Sequence, residues 1–251
     1  MLENVYRGVR AEAGPADLRY SAGRTGSESG FFIEREGRFR ATAGDGDEFL
    51  ARLSDDITIE LQKLRSDLYF VHSAVVESKG GGVLLAAESG GGKSTTTWAL
   101  LHHGFRFLSD ELAPVDLESM EVQPFPRAIC LKSPPPAPYA LPKPVSSEAR
   151  IIHVPVDELP AEVVYSPVPV RAVVFVRHDS EGIEPSMDRL DKARAATLLY
   201  ANTLNPLAHK GDGLDGALRI AQCAACFELV ANDLPRTTAV IRSTISALAM
   251  D

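Results

Sequence analysis

Val83-Leu84-Leu85-Ala86-Ala87-Glu88-Ser89-Gly90-Gly91-Gly92-Lys93-Ser94-Thr95 joins three textures in one short segment. Val83 to Ala87 is a continuous apolar run, which reads as a strand buried on both faces. Three consecutive glycines follow, and from Lys93 the spacing becomes helical, closing at Gly104. A strand that passes through a glycine turn into a helix start is built to bind phosphate. The glycines adopt backbone angles closed to other residues, so successive N–H groups point into one hollow, and the helix start adds the positive end of its dipole. Glu88, Ser89, Gly90, Gly91, Gly92, Lys93, Ser94 and Thr95 are therefore the expected nucleotide-binding residues. Lys93 is placed to reach the β- and γ-phosphates of ATP, and Ser94 to ligate Mg²⁺. The pattern G-x-x-x-x-G-K-[ST] is met except at its first position, where Ala87 stands at the strand end.

Before this segment, LYFVHSAVVES (68–78) reads as a strand, and Gly80-Gly81-Gly82 as the tight turn that returns it antiparallel into Val83–Ala87. After it, FRFLSDELAPVDLE (105–118) reads as a strand, an acidic bend and a strand. RAVVFVRH (171–178) is a further central strand, while MDRLDKARAATLLYAN (187–202) and DGALRIAQCAACFELVAN (215–232) read as helices. Strands alternating with helices give an α/β fold, and the antiparallel return makes its sheet mixed. SPPPAPYALPKP carries six prolines between Ser133 and Pro144, which excludes helix interior and central strand and leaves an extended surface loop. FFIEREGRFRATA (31–43) is β-like and DEFLARLSDDITIELQKLRSD (47–67) helical. The expected organisation is a small α+β accessory region over 1–66 and the loop-bearing domain over 67–251.

The chain has 251 residues with 26 Lys and Arg against 34 Asp and Glu, a net charge of −8 that argues against general nucleic-acid binding. Hydrophobic residues at 45% and charged residues at 24% are globular proportions. No apolar run approaches the roughly 20 residues that cross a bilayer, and the first residues lack the apolar segment of a secretion signal. A cytoplasmic protein with neither membrane nor nucleic-acid partner is expected. Cys130, Cys223 and Cys226 are too few for a disulfide framework and fit a reducing compartment. Cys223 and Cys226 form a CxxC in a helix-like run without a second ligand pair, so they read as small residues near a buried face rather than as a redox or metal site.

Ser109-Asp110-Glu111 follows the predicted strand FRFL. Phosphoryl transfer needs carboxylates for two jobs, holding the metal that bridges the phosphates and orienting the attacking hydroxyl, and neighbouring acids at a strand end can divide them. VHSAVV (71–76), GGGVLLAAESGGGKSTTTWALLHHGFRFLSDELAPVD (80–116) and VQPFPRAICLK (122–132) together resemble the HPr kinase/phosphorylase family, in particular its short relatives among the tailoring genes of ribosomally made peptides, including lasso-peptide kinases. The resemblance covers about residues 70–132. It implies a mixed-sheet P-loop fold like the HPr kinase C-terminal domain and the catalytic domain of phosphoenolpyruvate carboxykinase, with ATP-dependent transfer to a serine hydroxyl. By position, Lys93 and Ser94 match the phosphate and Mg²⁺ ligands, Asp110 the base, and Glu111 a metal-binding aspartate. His72 matches a histidine that faces the phosphates. Arg127 falls in a similar proline-arginine stretch, where a guanidinium can stabilise charge on the transferred group. The glycine-rich signature of full HPr kinase/phosphorylases is missing, so the resemblance implies neither reversal of the reaction nor HPr as substrate.

These readings lead to an ATP- and Mg²⁺-dependent kinase acting on a serine of a peptide or protein. Two others stay open: a nucleotide-binding regulatory module without transferase activity, and a kinase of a small hydroxylated metabolite such as free serine. HPr kinases are commonly hexameric and small relatives need not be, which leaves a homo-oligomer open as well.

Overall fold

The computed structural model describes residues 2–9, 14–26, 30–143, 145, 150–179, 182 and 184–248. A short helix α1 (Leu2–Tyr6) precedes an antiparallel three-stranded sheet of β1 (Tyr20–Arg24), β2 (Phe31–Arg35) and β3 (Arg38–Ala43), followed by α2 (Gly46–Leu64). Asp45 caps α2, its side chain accepting from the Glu48 amide at 2.8 Å. Phe49, Leu50 and Leu53 on one face of α2 pack with Ile33, Ala43, Val5 and Ala128 in a small core of their own. Ala128 comes from the far part of the chain, so this layer is held against the rest by shared apolar burial.

The remaining elements are β4 (Tyr69–Val71), β5 (Ser73–Ser78), β6 (Gly81–Ala86), α3 (Lys93–Leu101), β7 (Arg106–Ser109), β8 (Ala113–Asp116), β9 (Glu121–Val122), β10 (Ile129–Leu131), β11 (Ile152–Val154), β12 (Val168–His178), β13 (Ser186–Arg189), α4 (Lys192–Ala201), α5 (Leu214–Cys223), β14 (Ala225–Ala231) and α6 (Leu234–Ala247). The central strands lie in the order β13-β14-β12-β6-β5-β7. β14, β12 and β6 run parallel, whereas β5 is antiparallel to both β6 and β7, so the sheet is mixed as the sequence predicts. An antiparallel meander β4-β8-β9 joins the start of β12, and β10 pairs with β11 alone.

Alternation along the central strands feeds two cores. Ala74, Val76, Val83, Leu85, Val174 and Leu229 share one with residues of α3 and α6; Val75, Leu84, Ala86, Val173 and Phe175 share the other with residues of α4 and α5. Burial on both faces is why β6 carries no polar side chain. Trp98 of α3 is 1% exposed, and its indole N–H donates to the Tyr139 carbonyl at 3.0 Å. The proline-rich segment is thus pinned: Tyr139 is buried among the core residues instead of lying on the surface. Pro144 lies outside the described residues.

Four expectations need correction. LYFVHSAVVES is not one strand: it breaks at His72, whose amide donates to the Asn202 carbonyl at 2.7 Å, and its halves take different partners, β4 pairing with β8 and β5 with β6 and β7. The turn before β6 lies at Lys79 and Gly80, both with positive φ, and Gly81 and Gly82 already belong to the strand, where Arg171 and Val122 leave no room for a Cβ. Met187, Asp188 and Arg189 form the edge strand β13, since β14 offers them backbone partners and α4 starts only at its Asp191 cap. ACFELVA is the parallel strand β14 beside β12. The CxxC is accordingly split, with Cys223 exposed on α5 and Cys226 buried on β14.

Candidate active site

β6 ends at Ala86 and the chain turns through Glu88–Gly92 into α3. Gly90 and Gly92 have φ of 88° and 90°, values that cost an L-residue steric strain, and Gly92 is the N-cap of α3. Neither a capping side chain nor an acidic residue occupies the first turn, so amide donors at this helix start remain available to an anion. The loop closes on itself through the Gly91 amide and the Glu88 carbonyl at 2.9 Å. Ala87 belongs to the core behind the loop, and a Cβ on Gly91 would come within 3.1 Å of the Ala87 methyl. The alanine at the first motif position therefore supports the turn from behind.

Lys93 leaves the helix start with its side chain 10% exposed, and its Nζ lies 3.3 Å from Glu111 Oε2. The same oxygen is 3.2 Å from His72 Nε2, which the break between β4 and β5 brings to this point. Burial pushes the Glu111 carboxyl up, but the His72 hydrogen bond and the charges of Lys93 and Arg127 outweigh it and hold the group down at about 2. Asp110, one residue earlier, is fully buried. Its Oδ2 accepts from Ser94 Oγ at 3.1 Å and from the Cys130 amide at 2.9 Å, while Oδ1 has no partner. Desolvation, with the Glu111 charge beside it, raises the Asp110 carboxyl above its ordinary value. Ser94 thus hydrogen-bonds to Asp110, while Glu111, the other expected metal ligand, pairs with Lys93 and His72.

Arg127 is 8% exposed, and its Nε has no partner. Its guanidinium lies 5.9 Å over the Tyr6 ring, with Nη2 3.7 Å from Cys130 Sγ. The Cys130 thiol, 3.3 Å from His153 Nδ1, is pushed up by burial to about 11, so it is an un-ionised side chain at neutral pH. Lys132 reaches the loop itself, Nζ donating to Ser89 Oγ at 2.8 Å. Only its place at the end of the PFPRAICLK stretch marks Lys132 in the sequence.

His72, Lys93, Ser94, Glu111, Arg127, Cys130, Lys132 and His153 line one cavity of about 530 Å³, while Asp110 is sealed behind it. Thr95 and Glu88 line it too, so every residue expected at the nucleotide loop except Gly91 opens on it. A wall that the sequence did not foretell comes from the N-terminal layer, where Asp47, Ser54, Asp55 and Thr58 of α2 face the same space. Among the described residues no three His, Cys, Asp or Glu side chains form a metal cage. Magnesium sites made with nucleotides do not need one, because phosphates and water supply most ligands. Among the described residues, no helix is long and apolar enough to cross a membrane.

Neither protein-family models nor curated proteins give a match to this chain. Among solved structures, the chain is similar to an Hpr(Ser) kinase/phosphatase from Coxiella burnetii, at 13% identity and a TM-score of 0.36, over 72% of this chain and 98% of that one. At that distance the likeness carries no weight for function.

Proposed function

We propose that the protein is an ATP- and Mg²⁺-dependent kinase that passes the γ-phosphoryl group to a serine hydroxyl of a peptide or protein. One observation carries this reading: an uncapped helix start, Lys93 and Ser94 meet the acidic pair Asp110 and Glu111 at a single cleft. The motif resemblance over residues 70–132 supports serine as the acceptor class.

The donor set fits a magnesium ion, because the Ser94 hydroxyl opens on the cavity and its proton is already held by the buried Asp110 carboxyl behind it, which leaves the oxygen lone pairs free. Ser94 would hold the ion, with Asp110 fixing its hydroxyl. When bound, it supplies positive charge to the phosphate oxygens. The loop amides and Lys93 bind the triphosphate, with Lys132 beside Ser89 at the rim. Glu111 is the carboxylate open to the cavity, whereas Asp110 is sealed. On this geometry the base assigned by resemblance changes place: Glu111, held ionised and fixed by Lys93 and His72, orients the serine hydroxyl. Serine Oγ forms a bond to the γ-phosphorus, the bond from that phosphorus to the β–γ bridging oxygen breaks, ADP leaves, and the hydroxyl proton passes late to Glu111.

Incubation with γ-labelled ATP and a panel of serine peptides tests this reading. Labelled phosphoserine is expected from the wild type, with Glu111→Gln reducing kcat by about 10²-fold or more at little change in the KM for ATP. Intact nucleotide after long incubation, despite measurable binding, would support a binding module without transferase activity.

A further inference from the structure

Arg127 is a buried cation that feels the Glu111 charge but touches no anion among the described residues. It makes no salt bridge among the described residues, its contacts are a thiol and an aromatic face, and its Nε is unsatisfied. A guanidinium held this way is costly unless an anion completes it. The loop amides, Lys93 and Lys132 already serve the phosphates, so the question is what Arg127 awaits. A chain of contacts leads from it away from the loop. Arg127 lies over the Tyr6 ring, and the Tyr6 hydroxyl is 2.8 Å from Ser54 Oγ on α2.

The cavity-lining face of α2 carries the opposite charge. Asp47 and Asp55 open on the same space as Arg127 and Glu111, and neither makes a hydrogen bond or ion pair among the described residues. Asp47 and His153 both line this cavity, and the Asp47 charge acts on the His153 imidazole. One cavity thus presents a phosphate loop, a carboxylate fit to orient a hydroxyl, an unpaired buried cation and two unpaired carboxylates.

Resting on the kinase reading above, we infer that Arg127 and the Asp47/Asp55 face of α2 form the acceptor subsite, and that the acceptor carries an anionic group for Arg127 and a cationic group for the aspartates close to its hydroxyl. A free hydroxy-amino acid offers both charges, as does a peptide with acidic and basic residues flanking serine.

The test compares kcat/KM for four acceptors at saturating ATP: a capped neutral glycyl-seryl-glycine, capped lysyl-seryl-glutamate, its reverse glutamyl-seryl-lysine, and free serine. Wild type is expected to favour at least one charged acceptor over the neutral peptide by about tenfold or more. Asp47→Asn with Asp55→Asn should bring that ratio near one, mainly through KM, and Asp47→Lys with Asp55→Lys should invert it toward acceptors without a cation. Preference for free serine would name the small-molecule source, and preference for a tripeptide the peptide source. Equal use of all acceptors by wild type, or an unchanged ratio in variants that melt like wild type, overturns the subsite and leaves the kinase reading standing. No transfer to any acceptor despite nucleotide binding overturns both.

Discussion

At Asp110 no surface is exposed, while the Glu111 side chain next to it keeps about a third of its surface open to the cavity. Sequence supplied the pair and the chemistry that two acids permit. It could not say which acid is sealed, because that depends on the Cys130 amide and on the end of a strand, both set by long-range packing. Arg127 is a similar case: the sequence marks the arginine, but its burial depends on long-range packing that sets its guanidinium over the Tyr6 ring of α1. The two carboxylates should part experimentally. Asp110→Asn keeps one carbonyl oxygen that can accept from both Ser94 and the Cys130 amide, so it should fold, yet with Ser94 less firmly fixed Mg²⁺ should tighten nucleotide binding much less. Glu111→Gln should retain that Mg²⁺ effect. Titrations with and without the ion check this, and identical behaviour of the two variants would contradict the division.

The strand–loop–helix unit was legible because its determinants are local: apolar residues long enough for β6, glycines where φ is positive, and helical spacing after Lys93. Gly92→Ala should destabilise the protein by about 1–2 kcal/mol through its left-handed backbone and weaken ATP binding, as seen by thermal melting and calorimetry. The β5–β6 hairpin offers a pH test. Burial pushes Glu77 up, but Arg106, whose Nε lies 2.5 Å away, and the Gly80 amide bind the ionised form and leave its carboxyl below the ordinary value. A depressed acid contributes stability above its unfolded pKa and loses it as pH falls through the folded one. Glu77→Gln should thus cost about 1–3 kcal/mol at pH 7, with the gap from wild type closing as pH falls below the ordinary glutamate range in denaturant titrations. β14 was misread because no glycine or proline separates it from α5. Ala224 alone turns extended, and the alternation of Cys226, Phe227 and Leu229 between two cores is too short to stand out beside helical spacing.

At the scale of the molecule, the mixed sheet sets the loop and the β7 carboxylates side by side, because β5 pairs with both β6 and β7. The N-terminal layer then closes the cavity with α2. The sequence marked that layer as a separate texture but held no trace of its facing the loop, since the helix face that lines the cavity carries the ordinary polar residues of a solvated surface. The account depends on the loop receiving a triphosphate, and isothermal titration with MgATP tests this directly. Saturable binding with Kd of roughly 1 mM or tighter is predicted for wild type, weakened at least about tenfold in Lys93→Ala. No heat of binding from the folded wild type, or equal affinity in both proteins, would contradict it.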